Sequence, residues 1–235
     1  MGAISYKTWT ENTKLGSYKL ISLDKIPSTQ DVAHDLINAG RASDKTVITA
    51  TVQTAGRGRY RRVWVSRAGN LYASFLYKIR KLNPELSYAV AVAVAETLIH
   101  FGVPAQIKWP NDVLVDGKKI SGILIEYSNN FVVIGIGINV AHAPRLPGYP
   151  TIKINDFTNV NLADLFGELI KKLDFWRGQD FEIVRKRWMD LAIGVNQKIK
   201  YRGQDMNLVG LSTNGALILN DGTHDICVYG DEIML

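Results

Sequence analysis

Between residues 107 and 140 the chain writes out three β-strands joined by two tight turns, and this pattern limits the fold more than any other feature. The strands are residues 107–115, with KWPNDVLV, then 119–126 and 131–140. Their connectors, Asp116-Gly117 and Asn129-Asn130, suit two-residue hairpin loops, where both central positions take positive φ. Pro110 has no N–H to donate, so it interrupts the first of these strands. In the third strand, Ile134-Gly135-Ile136-Gly137-Ile138-Asn139, residues two apart share a face. The isoleucines fill a core. Gly135 and Gly137 leave the other face bare for a flat ligand, another backbone or a tight helix-on-sheet contact.

The remaining elements fit around this meander. Residues 18–24 alternate as a strand, and Pro27-Ser28-Thr29 supplies a turn and a helix start with Ser28 or Thr29 as N-cap. Residues 46–53 and 71–76 read as strands; residues 86–101, 162–176 and 181–191 read as helices. Pro144, Pro147, Gly148 and Pro150 mark a loop. From Gly194 onward short strands alternate with turns at Arg202-Gly203, Asn214-Gly215 and Asp221-Gly222. The expected fold class is α+β: a mixed or antiparallel sheet with packed helices, and a small all-β appendage. The expected domains are residues 1–190 and 191–235. An appendage of about 45 residues is too small to stand without docking.

Composition sets the outer limits. At 46% apolar residues over 235 positions the chain can bury a core. The single cysteine, Cys227, excludes an intrachain disulfide framework and a cysteine-based zinc cluster, and favours a reducing compartment. No apolar signal core opens the sequence and no apolar run is long enough to span a bilayer. A soluble cytoplasmic protein with no membrane association is expected. The net charge of +6 is modest. It suits nucleic acid, a phosphate-bearing ligand or an acidic partner equally.

That charge is unevenly spread. Arg57, Arg59, Arg61 and Arg62 crowd one loop, residues 54–62, together with Gly56 and Gly58. Glycines let a backbone approach a ligand and take positive φ. Arginine forks suit phosphate and carboxylate. The loop repels itself when empty, so it should order around an anion. A solvated basic loop, or a nucleic-acid contact with Tyr60 and Trp64 stacking on bases, are the competing readings. Lys108 sits on a strand interior, costly to bury unless it meets an anion; an edge lysine snorkelling to water is the plainer alternative. Lys118 and Lys119 face opposite ways, so one can point inward.

Three segments together resemble the biotin–protein ligase family: GRGRYRRVW against its GRGRxxRxW signature, KWPNDVLV with GKKISGILIE, and IGIGINV. The likeness runs from about Ser28 to Val140 and continues loosely beyond it. It implies a class II synthetase-like catalytic domain with an SH3-like C-terminal domain. It implies activation of biotin by Mg2+-ATP to biotinyl-5'-AMP, then transfer to one lysine of a biotin carboxyl carrier protein. The resemblance puts Ser28, Thr29, Gln30 and Gln53 on the biotin ureido ring, and Gly135 and Gly137 beneath the ligand. Arg57, Gly58 and Arg59 lie over biotin and phosphate. Arg62 and Trp64 fold the loop over the nucleotide, which Asn111, Lys119 and Asn139 also contact. Lys108 neutralises carboxylate and α-phosphate together; Asp112 orients the incoming lysine or a cation. The metal ligands are not identified, and monomer and homodimer both stay open.

The chain departs from the family at Gln30, where Ser-Thr-Asn is usual. About 26 residues precede Pro27, too few for the helix-turn-helix domain of repressor members, so DNA binding is not expected. Lipoate or octanoate ligases share the architecture but lack the GRGRxxRxW loop. The acyltransferase relatives need a cysteine nucleophile, whereas Cys227 lies in the β appendage.

Overall fold

The computed structural model describes residues 7–9, 12, 13, 16–146, 148–229 and 233; Pro147 of the expected loop lies outside them. The elements in chain order are β1 (Lys7–Trp9), β2 (Asn12–Thr13), β3 (Gly16–Ser17), β4 (Lys19–Ile26), α1 (Thr29–Asn38), β5 (Thr46–Gln53) and β6 (Leu71–Lys78). Then come α2 (Leu86–His100), β7 (Gln106–Lys108), β8 (Asp112–Val115), β9 (Lys118–Ser128), β10 (Phe131–Ile138), α3 (Leu162–Arg177) and α4 (Phe181–Leu191). Four strands close the chain: β11 (Lys198–Tyr201), β12 (Gln204–Leu211), β13 (Leu217–Asn220) and β14 (Asp225–Val228).

The chain forms two compact units, residues 1–82 with 120–166 and residues 83–119 with 167–235. In the first, strands run in the order β1-β4-β5-β6-β10-β9. All neighbours are antiparallel except β4 and β5, which α1 joins as a parallel pair. The helix lays Val32, Ala33, Leu36 and Ile37 against Ile21, Leu23, Ile48, Leu76 and Val133. Those four positions recur at helical spacing, so one apolar stripe seals this side of the sheet. Gly40, at φ 65°, takes the left-handed turn that ends the helix region. Asp116 and Gly117 (φ 49° and 71°) hold the positive φ expected of the first hairpin turn at both positions; in the second turn Asn129 (φ 52°) takes it and Asn130 does not.

The second unit is built on α2. Residues Ala89–Ala95 are buried throughout, so this helix has no polar face and is packed on all sides. Glu96 closes its lower end: its carboxylate accepts from Lys172 Nζ (3.1 Å), Trp176 Nε1 (3.0 Å) and Arg187 Nε (2.7 Å). Burial alone would raise this carboxyl, but the three donors hold it below its ordinary range. Among the described residues β11–β14 form an open four-stranded antiparallel sheet. It docks as its size requires: Tyr88 Oη donates to Gly215 O (2.6 Å) and Arg185 Nη1 to Leu211 O (2.9 Å).

One expectation needs correction. Residues 107–115 are two strands, β7 and β8, paired antiparallel with Ile107 opposite Val113 and Lys108 opposite Asp112. Pro110, after a cis peptide bond, sits in the reversal between them. A residue with no N–H ends a ladder, and here the chain uses that end to turn back.

Candidate active site

The parallel pairing of β4 and β5 sets Ile26 opposite Gln53. The chain leaves β4 through Pro27 and enters α1 at once, so the first helical turn opens beside the end of β5. Ser28 has extended backbone and caps the helix, its Oγ accepting the Gln30 N–H at 3.2 Å. Gln53 takes a second orphan donor: its Oε1 accepts from Thr29 N–H at 2.8 Å, and its Nε2 donates to Ser66 Oγ at 2.8 Å. Thr29 Oγ1 lies 3.1 Å from Gln53 Oε1 and 2.8 Å from Ser74 Oγ, and can spend its one proton on either. Ser74 is also 2.8 Å from Gln30 Oε1, and Gln30 Nε2 reaches the carbonyls of Val133 and Leu124 at 3.4 and 3.5 Å. Ser66, Gln53, Thr29, Ser74 and Gln30 thus form one continuous polar strip, buried except at Gln53. Sequence reasoning found the strip's two glutamines and Thr29 but missed Ser66 and Ser74. The available signal for Ser74 was a lone serine inside the run LYASFLY, on the strand position that pairs with Gly135.

The bare face of β10 is filled by this chain's own side chains. A Cβ on Gly135 would meet Gln30 Oε1 at 2.8 Å, and one on Gly137 would meet Trp64 Nε1 at 2.4 Å. Both glycines are therefore required by close approach, while Ile134, Ile136 and Ile138 are buried on the core side as expected.

The arginine loop is a compact turn. Gly58 N–H donates to Arg62 O (2.8 Å), Arg62 N–H to Arg59 O (3.1 Å) and Trp64 N–H to Gly56 O (2.8 Å). The positive φ expected at its glycines falls instead on Tyr60 (54°) and Arg61 (58°). Gly56 is needed for another reason: a Cβ there would stand 2.5 Å from Trp64 O. Two successive left-handed residues are what carry Arg62 O back to Gly58. Non-glycine residues rarely hold that conformation, so the tip is strained. Tyr60 sits between its neighbours, with the Arg59 guanidinium 5.0 Å and the Arg62 guanidinium 5.7 Å from its ring centroid.

Arg57 behaves differently from the other loop arginines. Its guanidinium pairs with Asp31 at 2.8 Å, through Nη2, and with Glu126 at 3.2 Å, through Nη1. Glu126 also receives His34 Nε2 at 2.8 Å. Burial by itself would raise the Glu126 carboxyl. Hydrogen bonds from His34 and Gln30, with the Arg57 charge, outweigh it and hold the group below its ordinary range. Asp31, His34 and Glu126 were not anticipated, although Asp31 and His34 stand one turn apart on α1.

Asn139, at the end of β10, is buried and donates from Nδ2 to Ile152 O at 3.1 Å. Beside it Asn70 Oδ1 accepts three successive N–H groups, of Val140, Ala141 and His142, each at 2.9 Å. Asn70 was also missed; it fixes the chain as it leaves the two-glycine strand.

The second unit gathers the lysines. Lys108 and Asp112 flank the β7–β8 turn as opposite residues, with Asn111 between them. Lys119 Nζ lies 2.5 Å from Asp112 Oδ1, both side chains mostly buried. A buried pair of this kind is costly to desolvate and is weak evidence for stability alone. Lys119 is the inward lysine of its pair and Lys118 is exposed, as alternation requires.

The α+β class expected from the sequence is the class observed, and comparison with known proteins names it. Residues 22–140 match the model of the Biotin/lipoate A/B protein ligase family, and the chain belongs to that family. It is 31% identical to the bifunctional ligase/repressor BirA of Bacillus subtilis, over 95% of this chain and 76% of that protein. It is 29% identical to the biotin--[acetyl-CoA-carboxylase] ligase of Mycobacterium tuberculosis, over 90% and 88%. Among solved structures it resembles the Aquifex aeolicus biotin protein ligase in complex with biotin and ATP. There the TM-score is 0.79 at 26% identity, covering 91% of this chain and 97% of that one.

Proposed function

We propose that this protein activates biotin with ATP to biotinyl-5'-AMP and transfers the biotinyl group to a lysine of a biotin carboxyl carrier protein. The observation that carries the reading is the polar strip beside Gly135. A urea ring offers two N–H donors and one strong acceptor, and a buried urea must find partners for all of them. Amides and hydroxyls of Thr29, Gln30 and Gln53, with the Ser28 cap beside them, present both kinds of group along one line. Gly135 and Gly137 keep the strand beneath them flat.

In the first step a biotin carboxylate oxygen attacks the α-phosphorus and pyrophosphate leaves. In the second the carrier lysine, as a neutral amine, attacks the acyl carbon; AMP leaves and the amine's proton is lost. Both steps need cationic groups where negative charge collects. We assign Lys108 to the carboxylate and α-phosphate, and Lys119 with Asn111 and Asn139 to the nucleotide. Gly58 and Arg59 lie over the acyl phosphate, with Arg57 at the loop's stem held by Asp31 and Glu126. Arg62 and Trp64 complete the cover, which keeps water from a mixed anhydride. Asp112, already holding Lys119, is suited to orient the incoming amine or a magnesium ion. Magnesium keeps several waters and needs few protein carboxylates when it enters with a triphosphate, whose charge it neutralises. The functional division on this reading is residues 1–190 for catalysis and 191–235 for the SH3-like part. The lone cysteine supports the expectation of a reducing compartment, which on this reading is the cytoplasm.

The test is ATP–pyrophosphate exchange with purified protein. Exchange that requires biotin supports the reading. Exchange driven equally by lipoate or octanoate, or none with any acid, overturns it.

A further inference from the structure

Two carboxylates hold Arg57 in a way that the ligase reading does not use. Its guanidinium bridges Asp31 on the first turn of α1 and Glu126 on β9, two elements that are otherwise independent supports of the site. Both partners are carboxylates, so the trio carries a net negative charge. An arginine spent this way is a poor receptor for another anion. Glu126 is also bonded to His34, one turn beyond Asp31, and Asp31 directly follows Gln30, the last member of the polar strip. Arg57 is paired with Val63 across the loop's neck. The clamp therefore ties the neck of the arginine loop to the strip, and it does so at the strip's Gln30 end.

We propose that Asp31 and Glu126 are positioning residues for biotin: acting through Arg57, they fix the loop's neck against the polar strip, leaving only Arg59, Arg61 and Arg62 to meet phosphate. The inference rests on the ligase reading and sharpens it. It divides the arginines by task, with Arg57 serving the neutral ring end of the substrate through the geometry it imposes, and the tip serving the charged end. A negatively charged clamp also disfavours docking the triphosphate at that end, which sets the direction in which an acid and a nucleotide can lie.

The test uses the full chain and steady-state exchange kinetics, with biotin and ATP varied separately, for Glu126→Gln, Arg57→Lys and the double variant. Glu126→Gln keeps shape and removes charge; Arg57→Lys keeps charge and removes the fork. Each single change should raise the biotin KM about tenfold, with the ATP KM changed less than about twofold. The double variant should be no worse than the worse single variant, because both break one device. A rise in ATP KM with Arg57→Lys, or single effects that multiply in the double variant, would overturn the proposal. So would variants that match wild type. Should Glu126→Gln fold poorly, Asp31→Asn, on the more exposed side of the clamp, carries the same comparison. Wild-type protein without biotin-dependent exchange would sink the ligase reading itself, a result distinct from any of these.

Discussion

Gln53 and Ser66 of the polar strip flank the arginine loop in sequence, yet strip and loop are built on opposite principles. The strip places each amide and hydroxyl against another, buried between α1 and the sheet, so its geometry is set before any ligand arrives. The loop tip exposes Tyr60 and Val63, holds two residues at left-handed φ, and packs two arginines, Arg59 and Arg62, around one tyrosine ring. A ring with fixed hydrogen-bonding needs a site that does not adjust. An acyl phosphate that forms, waits and departs needs one that does. On the proposed function, recognition belongs to rigid elements and protection to a strained loop.

The contrast can be broken at several points. Arg59→Gly should leave the strip intact and adenylate formation near normal, while adenylate escape rises by roughly two orders of magnitude. Mass spectrometry of bystander proteins would then find scattered biotinylated lysines, and an adenylate still tightly held would remove Arg59 from its role. Ser74→Ala should act on the strip alone. It strands Thr29 and Gln30, costing about 1–3 kcal/mol of stability by chemical denaturation and weakening biotin more than ATP. Trypsin should cut the free protein at Arg59, Arg61 or Arg62, and roughly tenfold more slowly with biotin and ATP bound; identical rates would contradict a closing loop.

The smallest effect is on acid stability. The folded Glu126 carboxyl lies below its unfolded value, so its contribution is complete above that unfolded value and is lost as pH falls through the folded one. Glu126→Gln should therefore flatten the acid limb of a stability curve without altering the alkaline limb. The partial exposure of the cluster keeps the difference modest.

The sequence foretold these regions unequally. Strand β5 and helix α4 coincide with the expected residues because their pattern is local: β-branched alternation in one, helical spacing closed by Leu191 in the other. The hairpin turns were legible because Asp-Gly and Asn-Asn carry their conformation with them. Pro110 was legible as a breaker but not as a reversal, since the missing N–H says where a ladder stops and not where the chain goes next. The Arg57 clamp was not legible at all. Its partners lie 26 and 69 residues away, and no periodicity joins a helix, a loop and a strand. Ser74 gave a faint sign as a hydroxyl in an apolar strand, but only the register opposite Gly135 explains it.

The central claim is tested most directly by following labelled biotin onto a purified carboxyl-carrier domain, with ATP and magnesium, using wild type and Lys108→Ala. Wild type should label one carrier lysine. The variant should keep its circular dichroism and lose the reaction by about a thousandfold or more. A wild-type chain that leaves the carrier unlabelled, or a variant that labels it as fast, would contradict the account.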